Sequence, residues 1–319
     1  MTNPLYTAER FGVFVSAGDA FAAIDERYAA AMAQPTVDPW AANLGDVIPT
    51  DAFTVRLPIA SLTGWAYQQT QGENRFKSYN GSYFDLKTEE FDEGYEEYLL
   101  KLQKDPLAAR QWSLFGERLP ILETELVNSQ IGTALVNGTT TNALDGTVFF
   151  STAHKNYQSA ATPFNLTNLI AEASTMSSLT DANGKNLGIK PDTILVPNGL
   201  YYPAALAVSQ ALMAKLGTST DVAIDNPLKG KFNVVAANDL PNAGTVANSD
   251  WYLIDSSLVS KGLPPWIITR MTADGALGLR RFDTDSDFFK NHSRIKVSSH
   301  VFYGTSLGFP YGIRKIKGS

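Results

Sequence analysis

The sequence predicts an α+β protein. Three observations carry that class: a long amphipathic helix over about residues 105–138, a run of short strands and turns before it, and a region of mixed helices and strands after it. The helix begins at Asp105-Pro106, a capping carboxylate followed by proline at the first helical position. It ends at Asn137-Gly138. Trp112, Phe115, Leu119, Leu122 and Leu126 recur every three or four residues and share one face, while Arg110, Glu117, Thr124 and Asn128 fall opposite. Such a helix spans roughly 45 Å. Pro120 removes a backbone donor and predicts a kink or short break.

The segments before the helix are read as follows. Residues 1–20, with Pro4, Gly12 and Gly18, hold no sustained period and read as an extended arm. Asp19 is placed as the cap of a short helix with Phe21, Ile24, Tyr28 and Met32 on one face. Pro35, Pro39 and Pro49 then punctuate the chain to about residue 50, a stretch too open to bury itself and bound to lie on its own body or on a neighbour. Phe53–Leu57 is a strand ending at Pro58. Arg75–Tyr79 and Ser82–Leu86 flank Asn80-Gly81 as a two-residue hairpin. The acidic run Glu89–Glu97 centres on Gly94 and reads as a second turn, and Tyr98–Leu102 fits either a strand or a helical turn. So many charges on long hairpins predict a projecting loop, covered when it lies on a partner.

After the long helix, Thr139–Pro163 is a polar loop interrupted by Val148-Phe-Phe. Helices follow at about Leu166–Leu179 and Tyr201–Leu216. Strands follow at Thr193–Pro197, Phe232–Ala236, Trp251–Asp255 and Trp266–Arg270, giving a mixed α/β or α+β module over about 160–272. Arg294–Gly304 reads as one long strand, and Arg314, Lys315 and Lys317 form a basic tail.

Composition narrows the function. With 319 residues and 44% hydrophobic content, the chain suffices for a large core or two to three modules. A net charge of −6 opposes a dedicated nucleic-acid binder. There is no cysteine, which excludes disulfides and thiolate metal sites, and the three histidines, His154, His292 and His300, are scattered. No apolar run reaches the roughly 20 residues that cross a bilayer. The patch Phe11–Val15 lacks a basic leader, which points to synthesis in a cytoplasm without secretion.

Chemistry is sparse. Ser151-Thr-Ala-His154 with Asp145 nearby offers a nucleophile, a base and an orienter, but without a nucleophile elbow. Glu89–Glu97 lacks the spacing of a calcium loop, and a solvated or partner-facing charged strip is the expectation. Asp283-Thr-Asp-Ser-Asp287 alternates carboxylates, as either a weak cation site or a capped polar turn. Gly184-Lys185 lacks the rest of a phosphate loop. No catalytic, cofactor or metal residue is assigned.

The order of arm, hairpin, long helix, mixed module and final strand resembles tailed-phage major capsid proteins of the Hong Kong 97 type. More narrowly, it resembles the Mu-like phage major head subunit (gpT-like) family. Asp145–Asn156 is very close to that family's loop after the long helix. Thr193–Pro197, Tyr201–Leu212, Pro265–Arg270, Phe288–Asn291 and Tyr303–Gly312 are similar too, as are Phe21–Ala31, Trp40 and Gly64-Trp65 near the start. The acidic stretch 89–97 and the proline in the long helix depart from the family pattern.

The resemblance implies an α+β Hong Kong 97 type fold divided into five parts. These are an N-terminal arm (1–52), an extended hairpin loop (53–104), a peripheral domain with the spine helix (105–159), an axial domain (160–272) and a peripheral part completed by the C-terminal strand (273–319). It implies self-assembly into the hexamers and pentamers of an icosahedral head. That head encloses double-stranded DNA without sequence-specific binding, is assembled in the host bacterial cytoplasm, and takes scaffold, portal and decoration proteins as further partners. No membrane, cofactor, enzymatic activity or inter-subunit crosslink is expected. Phe76, Tyr79, Tyr83, Phe84 and Phe91 are expected to be covered mainly by other chains, and the acidic strip and basic tail to supply charge between subunits. The alternatives are an encapsulin-like cellular shell and a hydrolase using Ser151 and His154.

Overall fold

The computed structural model describes residues 13–33, 37–58, 83–143, 145–180, 184–214, 223–238, 240, 250–272 and 278–318. The hairpin turn expected at Asn80-Gly81, with Phe76, Tyr79 and the Tyr83 side chain, lies outside them.

The first helix, α1 (Ala17–Ala33), is capped one turn earlier than expected. The Ser16 hydroxyl accepts from the Asp19 amide at 3.2 Å while the Asp19 carboxylate accepts from the Ser16 amide at 3.0 Å, so Asp19 is the third helical residue of a reciprocal box. Phe21 and Ile24 are buried, but Met32 is half exposed. A short helix, α2 (Trp40–Leu44), leads into the strands β1 (Asp46–Thr50) and β2 (Thr54–Pro58). Next come β3 (Tyr83–Lys87), β4 (Glu89–Tyr98) and the helix α3 (Leu99–Lys104). The acidic run is therefore one continuous ten-residue strand, not a turn about Gly94. A Cβ on Gly94 would lie 3.2 Å from Ser298 Cβ, so the glycine admits a close neighbouring strand. Among the described residues β3 pairs antiparallel with β2.

The spine helix α4 (Pro106–Asn137) matches its predicted limits, with Asp105 accepting from the Leu107 amide at 2.9 Å. It runs through Pro120 without a break. Its buried face differs from the predicted stripe. Asn128, expected on the polar side, is 1% exposed; its Oδ1 accepts from the Ala41 amide at 3.2 Å and its Nδ2 donates to the Asp38 carbonyl at 2.9 Å. Helix ends and linkers carry backbone groups that need partners, and a buried amide side chain supplies both kinds. Where α1 crosses the spine, a Cβ on Gly116 would lie 2.5 Å from the Ile24 carbonyl oxygen, and Trp112 Nε1 donates to the Ala20 carbonyl at 3.0 Å. Gly138 closes the helix in a right-handed conformation (φ −61°), and a Cβ there would lie 2.6 Å from the Phe150 ring. It is needed for close approach, not for a left-handed turn.

The rest of the chain supplies β5 (Tyr157–Gln158), α5 (Leu166–Ser177), β6 (Thr193–Pro197), α6 (Asn198–Ser209), β7 (Leu212–Ala214), β8 (Ala223–Asp225) and β9 (Asn233–Ala237). It continues through β10 (Trp251–Ile254), β11 (Trp266–Met271), β12 (Gly278–Phe282), α7 (Asp287–His292), β13 (Arg294–Leu307) and β14 (Ile313–Ile316). Helix α6 starts earlier and stops earlier than predicted, because the chain turns after Ser209 into the small ladder of β7 with β8.

Two five-stranded sheets organise these parts. The first joins β1, β11, β13 and β12, with β4 on the opposite side of β13; the second runs β5-β14-β10-β6-β9. The Trp266 strand, grouped by sequence with the 160–272 module, belongs to the first sheet, paired with β1 and β13. Thr50 accepts through its carbonyl from the Thr272 amide, so the alternate residues Val47 and Pro49 turn away from β11. Proline sits there without removing a ladder bond.

The second sheet is covered on both faces. Ile194, Val196, Trp251 and Leu253 pack with Leu169 and Met176 of α5 and Leu200 and Ala204 of α6. Leu195, Tyr252, Ile254 and Ile313 turn the other way, into a core with Val127, Ile131 and Leu135 of the spine. That core also takes Trp266, Ile268 and Tyr303 from the first sheet, so the spine's C-terminal half is the wall the two sheets share.

Candidate functional site

The loop after the spine gathers the residues that look most like chemistry. His154 is 2% exposed. Its Nε2 lies 2.8 Å from Asp145 Oδ2, and its Nδ1 lies 2.9 Å from the Phe149 carbonyl and 3.3 Å from Ser151 Oγ. A carbonyl only accepts, so Nδ1 carries the proton and has no lone pair for the Ser151 hydroxyl. Ser151 Oγ itself accepts from the His154 amide at 3.3 Å, and the Ser151 amide donates to Asn156 Oδ1 at 3.1 Å. Asn156, fully buried, donates to the carbonyls of Phe149 and Pro310. Partial burial raises the Asp145 carboxyl, but hydrogen bonds from His154 and the Thr147 amide outweigh it and hold it below the usual carboxylate range. The geometry is a polar clasp that fixes the loop and seats Phe149 and Phe150 in the core; a base poised to activate Ser151 is not what it builds.

The other singled-out groups are also structural. Ser286 caps α7 by accepting from the Phe289 amide at 3.2 Å, and its own amide donates to the Asp283 carbonyl. The carboxylates at 283–287 thus form a capped turn with Asp287 almost fully exposed. Among the described residues no three acidic or histidine side chains gather as a metal site. Gly184 takes a left-handed φ of 79° in a loop closed by the bridge between Thr180 and Asn186.

Part of the acidic strip and of the basic tail meets partners within the chain, while Glu89, Asp92, Glu93 and Lys317 stand exposed. Strand β4 pairs with β13 over its whole length, which sets Glu96 against Arg294 and Glu90 within 3.1 Å of His300 Nδ1. In the tail, Arg314 is 6% exposed, and its guanidinium meets Glu172 of α5 at 2.6 Å and the Lys155 carbonyl at 2.6 Å. Lys315, 3% exposed, donates to the Val136 carbonyl and meets Asp250, both at 3.2 Å. Burial pushes the Lys315 ammonium below its ordinary range, against the pull of Asp250. A fully buried strand needs each cation neutralised locally, so neither is left to offer to a neighbour.

Of the five aromatic residues expected to be covered by other chains, only the side chains of Phe84 and Phe91 lie among the described residues. Phe91 and Phe84 are half-buried by their own chain, Phe91 against the shared core. The described parts of residues 13–104 fold back on the body: Phe14, Phe21, Ile24, Trp40, Leu44 and Leu102 are all buried. Large apolar side chains nevertheless stand exposed in this same region, at Val15, Met32, Phe53, Tyr98 and Leu100, as well as on the spine, at Leu107 and Leu114, and on α6, at Tyr202 and Leu206.

A long spine helix, two sheets sharing its flank, and a first sheet completed by the penultimate long strand define a protein of the Hong Kong 97 capsid fold. The profile of a family described as phage capsid protein matches residues 103–316. The chain belongs to that family and is a tailed-phage major capsid protein. Solved structures agree on the fold. A chain from Microbacterium phage Oxtober96 superposes with a TM-score of 0.51 at 13% identity, covering 91% of this chain and 98% of its own. The capsid of cyanophage P-SCSP1u gives 0.50 at 11% identity, with 86% of each chain covered. An encapsulin complex from Synechococcus elongatus gives 0.48 at 9% identity, covering 89% and 88%. No curated protein matches.

Proposed function

We propose that copies of this chain assemble into the hexamers and pentamers of an icosahedral head enclosing the phage genome. The family match over residues 103–316 carries this reading. The role is mechanical, without catalysis: the Ser151–His154 loop is a clasp, and the chain's −6 charge suits a wall that does not grip DNA. In this reading residues 1–52 are the arm, 53–104 the extended loop, 105–159 and 273–319 the peripheral domain, and 160–272 the axial domain. The Trp266 strand and β14 cross that partition, which makes the two domains one body joined through the spine. Scaffold, portal and decoration proteins are the further partners, and the host cytoplasm is the place of assembly.

Electron microscopy of the purified recombinant protein tests the proposal. Shells or ring-shaped capsomers are expected. A protein that stays monomeric at every concentration and ionic strength tried overturns it.

A further inference from the structure

Helix α6 lies on the second sheet with Leu200, Ala204, Ala207 and Val208 turned inward. Its opposite side leaves Tyr202 80% exposed and Leu206 57% exposed, one turn apart on the same face. An outward helix face normally carries charge. Here none occurs: from Thr193 to Ala214 the sequence holds no Asp, Glu, Lys or Arg. The inward face already satisfies the fold, so the chain's own stability does not account for a tyrosine and a leucine left in water.

We propose that this face of α6 is a contact surface for a second copy of the same chain. The occupant follows from charge. Identical copies of a chain with net charge −6 repel one another, so they associate most cheaply where neither presents charge. Nucleic acid would require basic residues on this face, and it has none. A charged protein partner would lose its own hydration against Tyr202 and Leu206 without a counter-charge to replace it. Tyrosine supplies a large rigid contact and a hydroxyl for the rim, and leucine fills the gap one turn away. The inference rests on the proposed assembly and deepens it by naming the surface.

The test uses two double variants with opposite charge, Tyr202→Glu with Leu206→Glu and Tyr202→Arg with Leu206→Arg. Circular dichroism and thermal unfolding of the unassembled protein show whether each still folds. Both are expected to fold like the parent and to raise the concentration at which particles appear by tenfold or more. Assembly of both at the parent's concentration overturns the inference. So does a block by the glutamates alone, because that reports overall charge and not this face. If either variant fails to fold, the single change Leu206→Cys replaces it. The chain has no other cysteine, so an environment-sensitive dye on that residue reads the site directly. A blue shift on assembly is expected, and an unchanged spectrum in formed particles overturns the contact. Failure of the unaltered protein to form particles sinks the proposed function instead, so the two failures are distinguishable.

Discussion

In the first sheet, Arg294 of β13 and Glu96 of β4 form a cross-strand ion pair at the surface, and the exposed Glu90 lies beside the His300 ring. In the second sheet, Arg314 and Lys315 lie on opposite faces of one buried strand, each met by a single acid from another element. Exposed pairs trade hydration for a Coulomb attraction that water and salt screen. Buried pairs have no water to fall back on, so the same chemistry becomes a structural obligation. The difference teaches which charges in a shell protein are adjustable. Those of the first sheet can change with little effect on the fold, while those of the second tie α5, the spine and the C-terminal strand together.

The largest effect that would break this contrast comes from Glu172→Ala. It leaves the Arg314 guanidinium buried with only the Lys155 carbonyl as partner. Removing one member of a buried pair costs about 3–5 kcal/mol. Chemical denaturation of the unassembled protein should show a lower midpoint with an unchanged slope. A loss below about 1 kcal/mol would mean that water reaches Arg314.

The second effect concerns pH. Burial holds the Lys315 ammonium below its ordinary range, so the unfolded chain keeps that proton to higher pH than the folded one. Stability from this group is complete above its unfolded value, about 10.4. It falls away as pH drops through the lower folded value. Replacing Lys315 by methionine, which fills a similar volume, removes that slope. The melting temperature of the parent should therefore rise relative to that of the variant as pH goes from neutral towards about 10.5. A constant difference across that range would show that Lys315 titrates as an ordinary surface lysine.

Why the sequence shows the spine and hides its buried face is a matter of what each signal depends on. The limits of α4 rest on Asp105, Pro106 and Gly138, local residues whose effect needs nothing distant. The burial of Asn128 depends on Ala41 and Asp38, nearly ninety positions away, so periodicity assigned it to water. Gly94 reads as a turn because its neighbour in space, Ser298, is some two hundred residues off. Strand β1 went unseen because Pro49 marks a break unless it stands at a free edge. The tail looked like surface charge because Glu172 and Asp250 are remote in sequence. For the functional reading, the order of elements and the Asp145–Asn156 loop were legible, since that loop closes on itself through His154. The α6 surface had one visible trace, the charge-free run from Thr193 to Ala214, which looks like core until the helix's outward side is seen.

The smallest effect sharpens the contrast from the other side. Arg294 stands against Glu96 and over the Tyr98 ring, 4.3 Å from its centroid, all three well exposed to solvent. Its hydrogen bonds to Tyr98 and Glu96 raise the guanidinium further above a range in which it is always charged, so no pH dependence follows at ordinary pH. Arg294→Ala should leave the denaturation midpoint of the unassembled protein almost unmoved. What small shift exists should disappear in high salt, because screening removes an attraction held in water. A shift as large as that from Glu172→Ala, and indifferent to salt, would place Arg294 in the same class as Arg314. The strip on β4 would then be part of the framework, and the division between adjustable and obligatory charges would fail at the first sheet.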